Sequence, residues 1–404
     1  MSILRACLGL LLVLFATAAR ADEPPVFDAT QRRLIRSFGP WPPAFRIDSG
    51  NPLSGRPEAV RFGAVLFAEP RLSKNGALAC QNCHQPQHGW AEPVARSHGL
   101  DRLDRNAPGL LDSRLHRWFG WDGASDSLWA AAIRPILDPR EMGGSTAIVA
   151  DLLRRDPALA CLARQADDAA ATSPDDEALL VLAARALAAF QETLVSPRTA
   201  FDDFRDALLT DDHAVMARYP VSAQRGLALF TSHGQCATCH SGPAFTNGEF
   251  HDTGMPFFVI GADGTRGVDP GRHRGIARLK ANPFNRLGRY NADPQSPAVL
   301  PVRHVAQQHR NWGEFKVPSL RSLLFTGPYM HDGSKPDLAS VVQHYSDLDE
   351  DRLHSDGEAI LRPLRLSAEE SRDLVAFLQS LSAPAVAAAS DYETLKTEAR
   401  RLCP

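Results

Sequence analysis

This chain of 404 residues has no excess of basic residues, no long alternating segments and no long apolar run beyond its N-terminus. Each of these absences argues against a class of protein. Basic residues are not in excess, since 44 Lys and Arg stand against 47 Asp and Glu. A nucleic-acid-binding protein needs a basic face, so this balance argues against a nucleic-acid partner. No long segment alternates between apolar and polar residues, so the sequence does not indicate a large β-sheet. Beyond the N-terminal segment, no apolar run is long enough to span a membrane.

The single long apolar run lies at the N-terminus. It follows Arg5, extends from Ala6 to about Ala16 and leads to Ala19-Arg20-Ala21. A basic start, a short apolar stretch and an A-x-A cleavage site are typical of a secretory signal, so residues 1–21 are predicted to be a signal peptide. We therefore expect a soluble protein exported to the periplasm, without a membrane span after cleavage; the alternative is an uncleaved anchor. The remaining chain has 42 basic and 47 acidic residues.

Cysteines are few, and their positions separate them into groups. Cys7 leaves with the signal, and four others lie in two C-x-x-C-H motifs. Cys161 and Cys403 remain. Because two spare cysteines in an oxidising compartment tend to pair, we predict a disulfide between them. The alternative is a pair of buried thiols. The disulfide would hold the C-terminal tail, residues 385–404, against the first half of the chain.

The two C-x-x-C-H motifs predict two covalently bound c-type haems. In such a motif the thiols form thioether bonds and the adjacent histidine binds the iron. The residues of the two motifs are Cys80, Cys83 and His84, and Cys236, Cys239 and His240. A shared zinc site with two Cys-x-x-Cys pairs is the alternative. It does not explain why a histidine follows both pairs.

The sequence around the motifs is partly duplicated. Before each motif lies an amphipathic helical pattern, with Phe67 and Phe230 in matching positions. Helical patterns dominate elsewhere, and Ser367 with Glu370 forms a capping-box pattern. The predicted fold is mainly α, with two cytochrome c-like haem lobes related by an internal duplication and joined by long ordered loops. We place the N-terminal lobe at 22–205 and the C-terminal lobe at 206–404.

An ordered series of short motifs resembles a known family. The series is "CQNCH", "RNAPGL", "FGWDG", "DPREMGG", "CATCHSGPAFTN", "FKVPSLRSLLFTGPYMHDGS" and "VVQHY". It is similar to that of the bacterial di-haem cytochrome c peroxidase and MauG superfamily, from about Pro57 to Leu381. The resemblance implies that the N-terminal haem reacts with hydrogen peroxide and that the C-terminal haem transfers electrons.

The resemblance also assigns roles near the first haem. Glu141 matches the distal carboxylate, which takes a proton from peroxide and returns it to the leaving oxygen. Trp121 matches the tryptophan between the haems. Their alternatives are a surface carboxylate and a packed core aromatic. Ala131 stands where the family often has a second distal group, a glutamine. His98 matches the removable sixth iron ligand of the peroxidases, with a solvent-facing histidine as the alternative.

Two further sites follow from the resemblance alone. A calcium ion between the haems would be bound by the Asn106 side chain and by the backbone carbonyls of Thr326 and Pro328. Tyr345 occupies the place of the second haem's sixth ligand, which is Met in the peroxidases and Tyr in MauG. Three other residues are rival ligands: Met330, His331 and His344.

Together these features predict a periplasmic di-haem oxidoreductase. A MauG-type enzyme would use hydrogen peroxide to oxidise aromatic residues, such as Trp, of a partner protein; the MauG relatives associated with methanobactin are one such group. The alternative is a cytochrome c peroxidase that takes electrons from a small cytochrome c or copper protein. A non-enzymatic electron carrier fits less well, because it needs no distal carboxylate. The segment "RHRGIARLKANPFNRLGRYN" is locally basic and suits an acidic protein partner or a solvated loop equally.

Overall fold

A computed structural model describes residues 23–256, 258–260, 266–350, 356–358, 360–383 and 388–404. The predicted signal peptide, residues 1–21, lies outside the described residues. Within them, helices account for most of the regular structure, so the predicted mainly α fold is confirmed. None of the helices in these ranges has the length and apolar character needed to cross a membrane.

The α-helices of the described residues are numbered in chain order. They are α1 Ala29–Ser37, α2 Pro57–Phe67, α3 Cys80–Cys83, α4 Leu128–Leu137, α5 Thr146–Arg155, α6 Pro157–Ala171, α7 Asp176–Gln191, α8 Ala200–Thr210, α9 His213–Met216, α10 Val221–Phe230, α11 Arg272–Ala281, α12 Leu300–His304, α13 Leu338–Ser346, α14 Ala368–Ser380 and α15 Ala388–Leu402. Short 3₁₀ turns lie at Pro70–Leu72, Pro86–His88, Ser113–Leu115, Cys236–Thr238, Pro297–Val299, His309–Asn311 and Leu323–Phe325.

Strands are short and form two antiparallel pairs. In one pair β1 (Phe250–Asp252) lies beside β4 (Glu314–Lys316), with His251 opposite Phe315. In the other, β2 (Phe258–Ile260) lies beside β3 (Arg266–Val268). Three residues per strand cannot form a core of their own, so packing between helices forms the interior of the described chain.

Helices of the two halves build two hydrophobic cores. The first core contains apolar side chains of α2 and α4–α7, and the second contains those of α8, α10, α13 and α14. Each end of the chain packs into the core of the opposite half. Ile35 and Phe38 at the N-terminal end lie in the second core, whereas Tyr392 and Ala399 of α15 lie in the first. The packing therefore differs from the sequence-based division at 205/206 for residues 27–38 and for the start of α8.

The same close helix contact occurs once in each core. A Cβ atom added to Gly63 on α2 would lie 2.0 Å from the carbonyl oxygen of Ala186 on α7. A Cβ atom added to Gly226 on α10 would lie 2.0 Å from the carbonyl oxygen of Asp373 on α14. Glycine is required at both places because no other residue lets the two backbones approach so closely. These two equivalent contacts show that the duplication seen in the sequence is also present in the packing of the helices.

A capping box begins α14, and a disulfide together with aromatic packing holds α15 in place. Ser367 accepts a hydrogen bond from the backbone N–H of Glu370 and forms the predicted capping box. Helix α15 is held by a disulfide between Cys161 and Cys403, whose Cα atoms are 5.8 Å apart. Tyr392 of α15 packs edge-on against Trp90, with ring centroids 5.4 Å apart. The C-terminal helix thus covers one side of the first C-x-x-C-H motif.

We expect Gly63→Ala and Gly226→Ala each to lower the free energy of unfolding by about 1–3 kcal/mol, because the new methyl group overlaps a carbonyl oxygen. On an unhindered helix the same change raises stability by up to about 1 kcal/mol, so the sign of the effect tests the contact. Thermal and denaturant unfolding would measure it. The control is Ala277→Val at an exposed position of α11, which should cost less than about 0.7 kcal/mol. Unchanged or higher stability of both glycine variants would contradict the contact.

Candidate di-haem site

A single cavity of about 530 Å³ reaches both C-x-x-C-H motifs. Its wall includes both histidines and all four cysteines of the motifs, together with Trp121, Glu141 and Tyr345. Segments that are far apart in sequence therefore meet around one space. Within the described residues, no three His, Cys, Asp or Glu side chains come together as a metal site, so the motifs do not form a shared zinc site.

The first motif is held by a short helix and a reversed turn. Cys80 and Cys83 lie on α3, and His84 directly follows it. The Nδ1 atom of His84 lies 3.0 Å from the carbonyl oxygen of Trp90. A carbonyl oxygen only accepts hydrogen bonds, so Nδ1 carries the ring hydrogen and Nε2 keeps its lone pair. Trp90 has φ of 60°, which turns its carbonyl back towards the ring.

The second motif repeats this arrangement. The Nδ1 atom of His240 lies 2.9 Å from the carbonyl oxygen of Phe245. Phe245 has φ of 52°, so a left-handed residue again presents the acceptor. Each imidazole therefore has a fixed orientation and a defined tautomer. A second bond of this kind is what orients histidine ligands in metal sites.

The surroundings of these side chains suit c-type haem. Burial lowers the pKa of His84 and of His240 to about 4, so both imidazoles are neutral near pH 7, as iron ligation requires. Burial raises the pKa of the Cys80, Cys83 and Cys236 thiols to about 12. A thiolate would be costly there, whereas a thioether carries no charge. The residues present therefore fit two covalently attached haems.

Two equivalent helices line the cavity with different residues. Helix α4 begins after its N-cap Ser127, and α13 begins after its N-cap Asp337. The eighth residue of α4 is Pro135, and the eighth residue of α13 is Tyr345. Both line the cavity. The duplicated helix therefore offers a phenol oxygen on one side and no donor atom on the other.

Glu141 lies beside the first motif. It follows α4, its side chain is 15% exposed, and it forms an ion pair with Arg134 of that helix. Burial is the main cause of the raised pKa of Cys80, and the nearby charge of Glu141 adds to it. The family's glutamine position, Ala131, also lines the cavity and presents only a methyl group. Glu141 is therefore placed where it can exchange a proton with a small molecule at the first motif.

Tyr345 lies beside the second motif. Burial raises the pKa of its phenol, and the nearby sulfur atoms of Cys236 and Cys239 raise it further. Such a phenol keeps its proton unless a strong positive charge, such as a ferric iron, is next to it.

The rival ligands of the second motif differ in their surroundings. Met330 also lines the cavity. The Nε2 atom of His344 instead lies 2.9 Å from the carbonyl oxygen of Thr253. The ring of His331 stacks on Phe315, with centroids 3.5 Å apart. Nε2 of His344 is thus already hydrogen-bonded, whereas His331 lines the cavity and stacking leaves its ring nitrogens free to bind.

Trp121 and the predicted calcium ligands share one wall of the cavity. The Nε1 atom of Trp121 donates a hydrogen bond of 2.9 Å to the carbonyl oxygen of Asn106. Asn106, Thr326 and Pro328 all line the same space. His98 does not: its side chain is exposed, it is not part of the wall, and its Nδ1 atom lies 3.2 Å from the carbonyl oxygen of Gly99.

Two groups on the wall were not identified from the sequence. Arg105 forms ion pairs with Asp122 at 2.9 Å and with Asp269 at 2.6 Å. Lys316 lies 3.1 Å from Nδ1 of His116, and burial lowers the pKa of Lys316 to about 8. Arg105 and Lys316 lie inside the motifs "RNAPGL" and "FKVPSL", but nothing in the local pattern shows that they face a cavity. The charge of Arg105 is balanced by its two aspartate partners, whereas the side chain of Lys316 has, among the described residues, only the imidazole of His116 beside it.

Comparison with known proteins connects this geometry to a family. The family model described as di-haem cytochrome c peroxidase matches residues 57–208. The methylamine utilization protein MauG of Methylorubrum extorquens is 38% identical over 360 residues, which cover 88% of this chain and 87% of that protein. The cytochrome-c peroxidase IdrP1 of a Pseudomonas species is 28% identical and covers 91% of this chain and 88% of its own.

Solved structures show the same fold. A MauG-like protein associated with microbial copper homeostasis superposes with a TM-score of 0.64 at 25% identity, over 88% of this chain and 98% of that one. The di-haem peroxidase BthA of Burkholderia thailandensis superposes with a TM-score of 0.63 at 20% identity, over 84% and 88% of the two chains. The chain belongs to the di-haem cytochrome c peroxidase and MauG family, whose members carry two haems and are oxidoreductases that act on hydrogen peroxide.

Proposed function

We propose that this protein is a MauG-type oxidoreductase of the periplasm. It uses hydrogen peroxide at the N-terminal haem and draws electrons from aromatic residues, such as Trp, of a partner protein. The observation that carries the proposal is the difference between the two equivalent helices, with Pro135 at the first site and Tyr345 at the second. The similarity to two proteins named MauG or MauG-like supports the same function.

The first site is suited to a small oxidant. A haem bound there supplies iron that can bind peroxide and accept electrons one at a time. Pro135 and Ala131 bring no ligand atom into the cavity, so the distal side stays open. The Oε atoms of Glu141 take a proton from peroxide and return it to the departing oxygen. The ion pair with Arg134 holds this carboxylate in position.

The second site is suited to holding an oxidised state. The phenol oxygen of Tyr345 is a hard donor once it has lost its proton, and it stabilises ferric iron over ferrous iron. A methionine ligand has the opposite effect because it raises the reduction potential. We infer that Tyr345 would hold the iron of the second haem and that this haem would then be a poor high-potential electron acceptor.

The balance of the reaction is simple. One molecule of hydrogen peroxide takes up two electrons and two protons and yields two molecules of water. The partner protein gives the two electrons and is oxidised. Trp121, in the wall between the motifs, shortens the gap for electrons passing between the two halves of the cavity. We also propose that Asn106, Thr326 and Pro328 bind a calcium ion there and that residues 1–21 direct export.

A second function is favoured by other relatives. Proteins similar to this chain are named cytochrome-c peroxidase or cytochrome c551 peroxidase. In that case the electrons would come from a small cytochrome c or copper protein, and His98 would be the residue that holds the first iron until the enzyme is reduced. The exposed position of His98 favours the first proposal.

Adding peroxide to the oxidised holoprotein separates the two functions. A MauG-type enzyme should change the optical and electron-paramagnetic spectra of both haems without prior reduction. A peroxidase should need a reduced second haem first and should then oxidise a reduced cytochrome rapidly. Two low-spin haems with no response to peroxide would contradict both functions.

Replacement of the distal carboxylate should slow the peroxide reaction. We expect Glu141→Gln to lower the second-order rate of the peroxide reaction by about 10²–10⁴-fold, because the amide cannot take up the proton. Stopped-flow absorption spectroscopy would measure this rate. Asp138→Asn is the matched control, since Asp138 is the other carboxylate near Arg134, at 4.0 Å. A Glu141→Gln rate equal to that of the control would show that Glu141 is not the acid–base group.

Replacement of Tyr345, the proposed ligand of the second haem, should change the reduction potential of that haem. We expect Tyr345→Met to raise the reduction potential of the second haem, because a thioether favours ferrous iron and a phenolate favours ferric iron. Spectroelectrochemical titration would measure it. Met330→Leu is the control and should leave the potential unchanged. A shift in Met330→Leu together with none in Tyr345→Met would identify Met330 as the ligand instead.

A further inference from the structure

One surface segment carries a charge opposite to that of the chain as a whole. Between Gly271 and Gly313 there are eight Lys and Arg residues, and Asp293 is the one acidic residue. The full chain has a net charge of −3. A concentration of one charge in a chain of the other sign creates a local field that attracts an oppositely charged molecule.

Part of this basic segment serves the fold. Arg272 is buried and donates hydrogen bonds to the carbonyl oxygens of Asp122 and Gly123. Arg286 pairs with Asp48 at 2.9 Å, and Arg289 pairs with Glu177 at 2.7 Å; both acids lie far away in the sequence. These arginines fasten the segment to the first half of the chain.

Four other basic side chains are exposed, and among the described residues none lies within 4.0 Å of a carboxylate oxygen, although the charge of Arg310 is felt by Glu314. We call them the basic face: Arg274, Lys280, Arg303 and Arg310. They lie on elements that pack together. Leu279 of α11 and Val302 of α12 share a small cluster around Trp118. The side chain of Gln307 donates a 2.9 Å hydrogen bond to the carbonyl oxygen of His273 on α11.

The basic face lies next to the cavity. Arg274 lines the cavity wall as well as the surface, and so does Arg278, which is 3.6 Å from Asp122. Trp118 is buried beneath α11, where the guanidinium carbon of Arg272 lies 4.7 Å from its ring centroid. Trp118 precedes Trp121 by three positions. A protein seated on this face would therefore lie close to the cavity wall and to the buried ring of Trp118.

We propose that the basic face is the docking surface for an acidic patch on the protein that gives electrons to this enzyme. The inference rests on the proposed function, since it names the chemistry of that partner. Charged residues at the edge of a protein–protein interface mainly speed the encounter of the two proteins and set their orientation, and salt screens their effect. The ion pair of His309 with Asp356 at 2.7 Å marks one edge of the face. An acidic overall charge makes a nucleic acid an unfavourable occupant.

Two synthetic peptides with the same single Trp test the proposal on the intact holoprotein. In one the Trp is flanked by Asp and Glu, and in the other by Lys. Fluorescence anisotropy of a labelled peptide measures binding without any reaction. We expect the acidic peptide to bind and to weaken about tenfold between low and moderate salt, and the basic peptide not to bind.

Two triple variants with the same change in charge identify the surface. Lys280→Glu, Arg303→Glu and Arg310→Glu reverse the face at positions that do not line the cavity. Arg33→Glu, Arg164→Glu and Arg218→Glu reverse three exposed arginines elsewhere. We expect about a tenfold loss of acidic-peptide binding in the first variant and about a twofold change in the second. Haem spectra of both variants should respond to peroxide as in the parent protein.

The outcomes separate docking from the reaction. Equal binding by both variants would overturn the docking surface. If peroxide then oxidises the bound peptide, its Trp loses two electrons, adds the oxygen of a water molecule and releases two protons. Mass spectrometry should show this gain of one oxygen atom more slowly in the first variant, and an equal rate in both would also overturn docking. Binding without oxidation would support docking and contradict the proposed function. Tighter binding of an oligonucleotide of equal charge, or dimers lost only in the first variant, would replace the acidic partner by another occupant.

Discussion

The structure depends on two hydrogen bonds, each from a histidine Nδ1–H group to a backbone carbonyl oxygen. His84 donates to Trp90, and His240 donates to Phe245. Each bond fixes the tautomer and the plane of a buried imidazole, and so determines where an iron can lie. The acceptor carbonyl is available only because Trp90 and Phe245 adopt the left-handed conformation. Such a conformation is costly for a large residue, and the aromatic packing around both residues maintains it.

A symmetric framework therefore carries an asymmetric pair of sites. Gly63 and Gly226 permit the same close helix contact in each core, and the same turn follows each motif. The difference arises at one face of α4 and α13, where Pro135 and Tyr345 occupy equivalent positions. Glu141 further separates the sites, since it lies beside the first motif. A duplicated fold can thus divide the work of two metal centres by changing a few residues, with no change in the framework.

The sequence predicts the parts of the structure that local patterns determine. The C-x-x-C-H motifs and the capping box at Ser367 are complete within a few residues, so they can be read directly. The ion pair between Arg134 and Glu141 could not be predicted from the sequence, because ion pairs around a turn depend on the directions of the side chains. Nor could the placement of Phe38 in the second core, since its apolar character suits either core. The sequence likewise leaves open which basic residues of 271–313 are neutralised, because their acidic partners are far away in the chain.

The packing of each chain end into the opposite half has a consequence for how the protein is made. Residues 27–38 leave the ribosome early, but the core that receives them is built from helices that begin more than 160 residues later. The first core in turn lacks Tyr392 and Ala399 until the chain is almost finished. Each half therefore lacks part of its interior until the opposite end of the chain is present. Loss of either end would leave apolar side chains of the opposite half without their packing partners, so the two halves depend on each other for a complete interior.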